Sequence, residues 1–322
     1  MSNIGVIGAG AFGTALASVL ASGGHNVTLW GRDEGLMDQI GKTYRTPYLP
    51  DITLPAALKT TGNLSDLGGS EAVLMVVPAQ VTRAVLKSKS FADIVCPILM
   101  CAKGIELGTS CSQTDILNAE LPQHISGAVS GPGFAGEIAA GKPTALTLAV
   151  NEPSLGADLQ AMLSTASLRM YLSDDVKGVQ LGGALKNVYA IACGIVRGAN
   201  LGESAQAALL TRGFAELKNL AAKMGAKPET LSGLSGFGDM VLSCTSLQSR
   251  NFAFGHQVGV SADFGQTKTV EGIATALAVG TLADQYKVEM PICTAVSTVL
   301  QKQVSVEDAL KQLMSRPLKR EV

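Results

Sequence analysis

Three charged residues, Lys186, Asp239 and Arg250, stand in patterns that could do chemistry. Lys186 is the lone charge in Gly182-Gly183-Ala184-Leu185-Lys186-Asn187-Val188-Tyr189-Ala190. An ammonium carried into so apolar a segment is costly unless it is paired or put to use. Put to use, it can protonate the oxygen of a ketone as a hydride arrives at carbon. A lysine that snorkels to the surface fits this segment equally well. Asp239 is the one acid in Leu234-Ser235-Gly236-Phe237-Gly238-Asp239-Met240-Val241-Leu242, a glycine-loosened turn before an apolar run. It can orient Lys186 and keep it charged, or it can cap a helix. Ser249-Arg250-Asn251 opens a helical-looking stretch. A serine cap, free helix N–H groups and a guanidinium fork make a pocket for a phosphate or carboxylate. The other reading is a capped surface helix.

Two further candidates follow apolar runs in the first half. Lys103 ends the run at 97–102 and could reach a ligand beyond the strand, or remain a solvated loop lysine. Ser130-Gly131-Pro132-Gly133 offers backbone N–H groups to an anion or a carbonyl, or is only a turn.

The strongest local pattern is Gly8-Ala9-Gly10-Ala11-Phe12-Gly13, after an apolar run and before a helical stretch. Gly8 permits a tight turn, Gly10 a close approach to a pyrophosphate, and Gly13 close packing of helix on strand. The pyrophosphate would sit on the N–H groups at the helix N-terminus. The next strand ends Leu29-Trp30-Gly31-Arg32-Asp33, about where a ribose-reading acid is expected. Arg32 can pair with the 2′-phosphate of NADP or stack on adenine. NADP is therefore favoured as cofactor, with NAD left open; a solvated arginine beside a solvated aspartate is the alternative.

Apolar runs at 3–7, 25–30, 72–77, 97–102, 125–130, 144–150 and 168–172 predict strands, and helical stretches at 12–20, 80–87 and 155–163 lie between several of them. Continuous apolar strands with helical crossovers predict a parallel sheet covered on both faces. In such sheets ligands bind beyond the carboxyl ends of the strands, where the candidate residues fall. From about Asp174 strand-like runs become scarce, and long Ala/Leu/Gly-rich segments at 176–196, 206–224, 273–285 and 295–304 predict helices. The expected division is a dinucleotide-binding domain at 1–180 and a helical substrate-binding and catalytic domain at 181–322.

Composition narrows the class. Of 322 residues, 47% are apolar and 16% charged, which excludes a disordered chain. A net charge of −1 leaves no basic stripe, so nucleic acid is not an expected partner. The segment at 181–202 comes nearest to a membrane span, but Lys186, Asn187 and Arg197 interrupt it, so no span is expected. The N-terminus reads as a buried strand and not as a signal peptide. Six cysteines without a CxxC pair predict reduced core thiols in a cytoplasmic protein. His25, His124 and His256 show no ligand spacing, so no metal is expected. The apolar helices of the second half are compatible with a homodimer.

Taken in order, Gly8–Ala17, Tyr48-Leu49-Pro50, Val77-Pro78, Lys103-Gly104, Ser130–Glu137, Leu185-Lys186-Asn187, Gly236–Leu242 with Cys244-Thr245, Ser249-Arg250-Asn251 and Val270-Glu271-Gly272 resemble NAD(P)-dependent glycerol-3-phosphate dehydrogenase of the bacterial biosynthetic type. The resemblance covers essentially the whole chain. It implies an α/β Rossmann-type N-terminal domain followed by an all-α C-terminal domain, 6-phosphogluconate dehydrogenase-like. It implies reversible reduction of dihydroxyacetone phosphate to sn-glycerol 3-phosphate for phospholipid synthesis, with Lys186 as general acid/base and Asp239 beside it. Ser249, Arg250 and Asn251 are implied as phosphate ligands, and Lys103, Gly131 and Gly133 as substrate contacts. Gly8, Gly10, Ala11, Phe12, Gly13, Arg32, Lys103, Ala135, Arg250 and Glu271 fall where the family binds the dinucleotide. Two positions depart from the family, which usually carries Ser or Thr at 11 and at 133; Ala11 and Gly133 each lack that hydroxyl. Two other readings stand beside this one: a hydroxyacid dehydrogenase that takes a carboxylate at Arg250, and a non-catalytic dinucleotide sensor, which would not need Lys186, Asp239 and Arg250 together.

Overall fold

Each apolar run of the first half stops at a glycine, a proline or a polar turn before it is long enough to make a helix, and each becomes a strand. The structure, a computed structural model, describes residues 1–261, 265, 270–318 and 320. Along the chain lie β1 (Asn3–Ile7), α1 (Ala11–Ser22), β2 (Asn26–Trp30), α2 (Glu34–Thr43), β3 (Lys59–Thr61), β4 (Ala72–Met75), α3 (Thr82–Leu86), β5 (Ile98–Met100), α4 (Gln113–Glu120), β6 (Ser126–Ser130), α5 (Ala135–Ala139), β7 (Thr144–Val150), α6 (Pro153–Leu163) and β8 (Leu168–Ser173). They form one sheet in the order β3-β2-β1-β4-β5-β6-β7-β8. The order reverses beside β1, which pairs with β2 on one side and β4 on the other; such a switch point opens a crevice at the strand ends. Apolar clusters cover both faces, one built on Leu16, Leu20, Leu29 and Leu148, the other on Ile7, Met75, Phe91 and Ile116.

The register aligns the functional ends. Ile7 lies opposite Met75, Met75 opposite Met100, and Met100 opposite Ala128. The glycine turn, Val77-Pro78, Lys103 and Gly131 therefore leave the sheet along one edge.

Two features differ from the expected sheet. Strand β7 runs antiparallel to β6, with Ser130 opposite Thr147. The link between them holds only α5, five residues long, which spans about 7.5 Å. That is too short to carry the chain back along the sheet, so it turns at the carboxyl edge and returns. Strand β3, Lys59–Thr61, lies outside the expected strands; three polar residues carry no apolar signal, and the strand exists because it pairs with the end of β2. The helix expected at 80–87 is shorter, a 3₁₀ turn at Ala79–Val81 leading into α3.

The second half is helical: α7 (Val176–Gly198), α8 (Glu203–Lys223), α9 (Pro228–Leu231), α10 (Asp239–Cys244), α11 (Arg250–Val260), α12 (Glu271–Tyr286), α13 (Pro291–Leu300) and α14 (Val306–Met314). Helix α7 starts under the Asp175 cap, whose carboxylate accepts from the Gly178 N–H at 2.8 Å. Its residues Leu181–Val196 are buried on every side, after the half-buried Gln180. A helix apolar all round belongs in a core, and α8, α10, α11, α12 and α13 all pack on it. It is long and apolar enough to cross a bilayer, yet its apolar stretch is buried inside the fold.

One buried acid makes this core pH-sensitive. Glu216 of α8 accepts from the backbone N–H groups of Ile292 at 2.8 Å and Cys293 at 3.4 Å, so it caps α13 from a distance. Burial pushes its carboxyl up to about 7, against the pull of those two N–H groups. The folded value exceeds the unfolded one, so folding keeps the proton and stability is lost as pH rises from about 4.5 towards 7. The wild type should lose roughly 3 kcal/mol more than Glu216→Gln across that window. Urea midpoints of both proteins over a pH series check this; a difference independent of pH would show that Glu216 does not titrate there.

Candidate active site

The glycine turn is shaped for an anion. Gly8 adopts φ +119, and a Cβ there would meet the Val76 carbonyl oxygen at 2.7 Å; a Cβ on Gly13 would overlap the Gly8 carbonyl oxygen, so α1 closes onto the end of β1 only because Gly13 has no side chain. A Cβ on Gly10 would meet nothing within 4 Å, so that face of the turn is open. Gly10 caps α1 without a side-chain bond, leaving the first N–H groups, those of Ala11, Phe12 and Gly13 among them, for a ligand. This cradle fits a dinucleotide pyrophosphate. Ala135 opens α5, which packs on α1. Arg32 is exposed just past β2. Asp33 caps α2, accepting from the Leu36 N–H at 3.0 Å.

Across the edge from this cradle, two lysines share one carboxylate. Lys186 Nζ donates to Asp239 Oδ1 at 2.7 Å, and Lys103 Nζ donates to Asp239 Oδ2 at 2.6 Å. Lys103 Nζ also donates to the Gly131 carbonyl at 2.8 Å and lies 5.5 Å from the centre of the Phe12 ring. Four separate segments thus converge with the first turn of α1. Lys186 is buried at 8% exposure, which settles against snorkelling, and Asp239 at 1%. Asp239 binds side chains and not helix N–H groups, so the capping reading does not hold for it.

Local backbone explains the meeting. One turn of π-helix, Leu234–Gly238, precedes α10, with the Gly238 N–H donating to Gly233 O. A Cβ on Gly182 would come within 2.6 Å of Ser235 O, so the bare flank of α7 lets this turn close down and bring Asp239 over Lys186. Ser243 stands one helical turn after Asp239, on the same face. Its Oγ accepts from Lys186 Nζ at 2.6 Å and donates to Asp239 Oδ1 at 3.3 Å. Sequence reading passes over Ser243; its i+4 spacing from Asp239 is the available signal.

Charge and burial oppose one another here. Burial lowers the Lys186 pKa below the ordinary 10.5, Asp239 only partly offsets this, and the Lys103 charge adds to the lowering. Burial pushes the Asp239 carboxyl up, but the charges and hydrogen bonds of Lys103 and Lys186 outweigh it and hold it below the ordinary range. The result is a carboxylate favoured in its charged form, facing a cation that gives up its proton more readily than a free lysine.

The remaining candidates surround this cluster. Ser249 caps α11, accepting from the Phe252 N–H at 3.3 Å, with the exposed Arg250 in the first turn. Asn251 donates to Asn187 Oδ1 at 2.9 Å and accepts from the Gly272 N–H at 3.0 Å. Asn187 in turn donates to the Lys103 carbonyl at 2.9 Å, so α7, α11 and the start of α12 are tied to the Lys103 loop. Glu271 accepts from the Ala79 N–H at 3.3 Å, beside the end of β4. Burial raises its carboxyl, against that bond and the charges of Arg250, Lys186 and Lys103. Gly131 has φ +144. A Cβ on Gly133 would meet Ile138 Cδ1 at 2.9 Å, so Ile138 fills the space a side chain would need.

Family models described as NAD-dependent glycerol-3-phosphate dehydrogenase N-terminus and C-terminus match residues 3–156 and 175–311. A relative from Roseobacter denitrificans, named as an NAD(P)+ glycerol-3-phosphate dehydrogenase, is 48% identical over 99% of this chain and 100% of its own. One of the same name from Methylobacterium radiotolerans is 47% identical over 99% and 98%. The crystal structure of glycerol-3-phosphate dehydrogenase from Coxiella burnetii superposes with a TM-score of 0.91 at 36% identity, covering 98% of this chain and 99% of that one. With both halves matched and relatives near half identity along its length, the chain belongs to the NAD-dependent glycerol-3-phosphate dehydrogenase family.

Proposed function

We propose that the chain reduces dihydroxyacetone phosphate to sn-glycerol 3-phosphate with NADPH or NADH, reversibly, and that Lys186 is its general acid/base. The observation that carries this reading is the Lys186–Asp239–Lys103 cluster on the same sheet edge as the open glycine cradle. The nicotinamide, when bound, supplies the hydride for C2 of the ketone.

The chain's own groups do the rest. Lys186 Nζ gives its proton to the C2 oxygen, and its lowered pKa eases that transfer. Asp239 holds the ammonium through Oδ1 and stays ionised throughout, because both lysines favour its charged form. Ser243 fixes the direction of the Lys186 N–H bonds. Lys103 adds a second positive charge beside the developing alkoxide. Ser249, Arg250 and Asn251 hold the phosphate at the α11 N-terminus, and the backbone at Gly131 and Gly133 lines the substrate. Gly8, Gly10, Ala11, Phe12, Gly13, Ala135, Arg250 and Glu271 hold the dinucleotide. With a backbone-only contact at Ala11, the pyrophosphate relies on N–H groups. The working division is 1–180 for the dinucleotide and 181–322 for the substrate, a boundary within the first turns of α7. The product supplies phospholipid synthesis, and six free cysteines fit a reducing cytoplasm.

The phosphate requirement tests the substrate assignment. Dihydroxyacetone phosphate should be turned over far faster than unphosphorylated dihydroxyacetone or a carboxylated ketone of similar size. Preference for the carboxylate would instead support a hydroxyacid dehydrogenase.

NADP preference rests on Arg32, which is exposed past β2 while Asp33 is occupied as a helix cap. Arg32→Ala should raise KM for NADPH about tenfold or more, the loss of a charged hydrogen bond, and leave KM for NADH nearly unchanged. Equal effects on both cofactors would remove Arg32 from the 2′-phosphate.

A further inference from the structure

The loop after β5 carries Lys103 to the site without any regular secondary structure, so its backbone groups find partners elsewhere. Three consecutive carbonyls each accept from a side-chain amide. Lys103 O accepts from Asn187 Nδ2 at 2.9 Å, Gly104 O from Gln113 Nε2 at 3.0 Å, and Ile105 O from Gln80 Nε2 at 2.7 Å. The amides come from α7, from the first residue of α4 and from the turn after β4. Gln113 is the innermost, at 1% exposure, and its Oε1 accepts from the Thr82 hydroxyl at 2.6 Å. Thr82 is fully buried. Both ends of the Gln113 amide are thus engaged, one on the loop and one on α3. Gln80 is exposed and closes a second ring, accepting from the Leu107 N–H at 3.0 Å. Farther along, Arg83 grips Glu106 through two nitrogens, at 2.8 and 2.6 Å. A Cβ on Gly104 would come within 2.7 Å of Ala79 Cβ, so the loop has little room to shift towards the turn after β4.

We infer that Gln113, through Gly104 O and Thr82, is a positioning residue for Lys103, setting where its ammonium stands against Asp239 and the substrate. Gln80 secures the same loop from outside. Gly104 directly follows Lys103, so the bond from the buried Gln113 amide to Gly104 O fixes the backbone immediately after the site lysine. The inference rests on the proposed role of Lys103 as a substrate contact. Wild-type turnover of dihydroxyacetone phosphate tests the reaction, Lys103→Ala tests that role, and the ratio of Gln113→Leu to wild type tests Gln113.

Gln113→Leu keeps the volume of the side chain and strands both Gly104 O and the Thr82 hydroxyl. It is expected to lower kcat/KM for dihydroxyacetone phosphate by about tenfold to a hundredfold, the scale of a small misplacement of a site group. The pH profile gives the distinguishing readout. The Lys103 charge lowers the Lys186 pKa, so a displaced Lys103 lets it rise and moves the alkaline limb of the profile to higher pH. Thr82→Val should shift the limb in the same direction, and Thr82→Ser, which keeps the hydroxyl, should behave as wild type. Should Gln113→Leu not fold, Gln80→Leu at the surface reads the same limb. Wild-type kcat/KM in a folded Gln113→Leu would overturn the inference. So would a loss of activity that follows thermal stability while the alkaline limb stays in place.

Discussion

Lys186→Ala is expected to lower kcat by about 10³-fold to 10⁴-fold while the protein stays folded and binds its nicotinamide cofactor as before. Alanine is the best helix former, so α7 persists through the substitution. Asp239 keeps Lys103 as a counter-charge, so no buried carboxylate is left unpaired. The cofactor cradle at the start of α1 does not involve Lys186. What disappears is the proton for the C2 oxygen. Lys186→Arg should not restore turnover, because a guanidinium does not give up its proton and does not fit an ammonium's place between Asp239 and Ser243. Steady-state rates, with cofactor affinity from fluorescence titration, check both statements. A Lys186→Ala protein within about tenfold of wild type would place the acid elsewhere.

Asp239→Asn should damage stability and chemistry together. The carboxylate divides its two oxygens between two ammonium groups, and an amide can accept from only one of them. Its NH₂ would face the other as donor against donor. A buried cation, Lys186, and a half-buried one, Lys103, would lose their shared anion, at a cost of about 3 kcal/mol. Relief comes from deprotonation, so the Lys186 pKa falls further under burial and the unopposed Lys103 charge. The alkaline limb of the rate profile for ketone reduction should therefore move to lower pH, opposite to the shift expected for Gln113→Leu. Urea unfolding and a pH–rate series measure the two effects. An unchanged midpoint with an unchanged profile would mean that the Lys–Asp–Lys arrangement carries neither stability nor the proton.

The parts of the fold visible in sequence are those set by local pattern. The runs at 3–7 and 144–150 have boundaries that match β1 and β7, because apolar composition and flanking turn residues agree there. β3 and the direction of β7 are not visible, because pairing decides them: β3 is three residues long and leans on β2, and β7 reverses because α5 is short. The candidate site divides similarly. Lys186 and Asp239 stand out as charges in apolar surroundings. Whether Lys186 turns inward is not legible, because α7 is apolar all round and its face cannot be read from periodicity. Ser243, Gln113 and Gln80 are ordinary polar residues in sequence; they acquire meaning only when the chain folds their side chains onto Lys186 and the Lys103 loop.

The most direct measurement is the fall in nicotinamide absorbance when purified protein meets NADPH or NADH and dihydroxyacetone phosphate, with the product identified as glycerol 3-phosphate. Substrate-dependent oxidation is expected with either cofactor, faster with NADPH at low concentration, together with stoichiometric product. Tight cofactor binding without oxidation of either cofactor would contradict this, and would point to a different substrate, one that does not need a hydroxyl at Gly133.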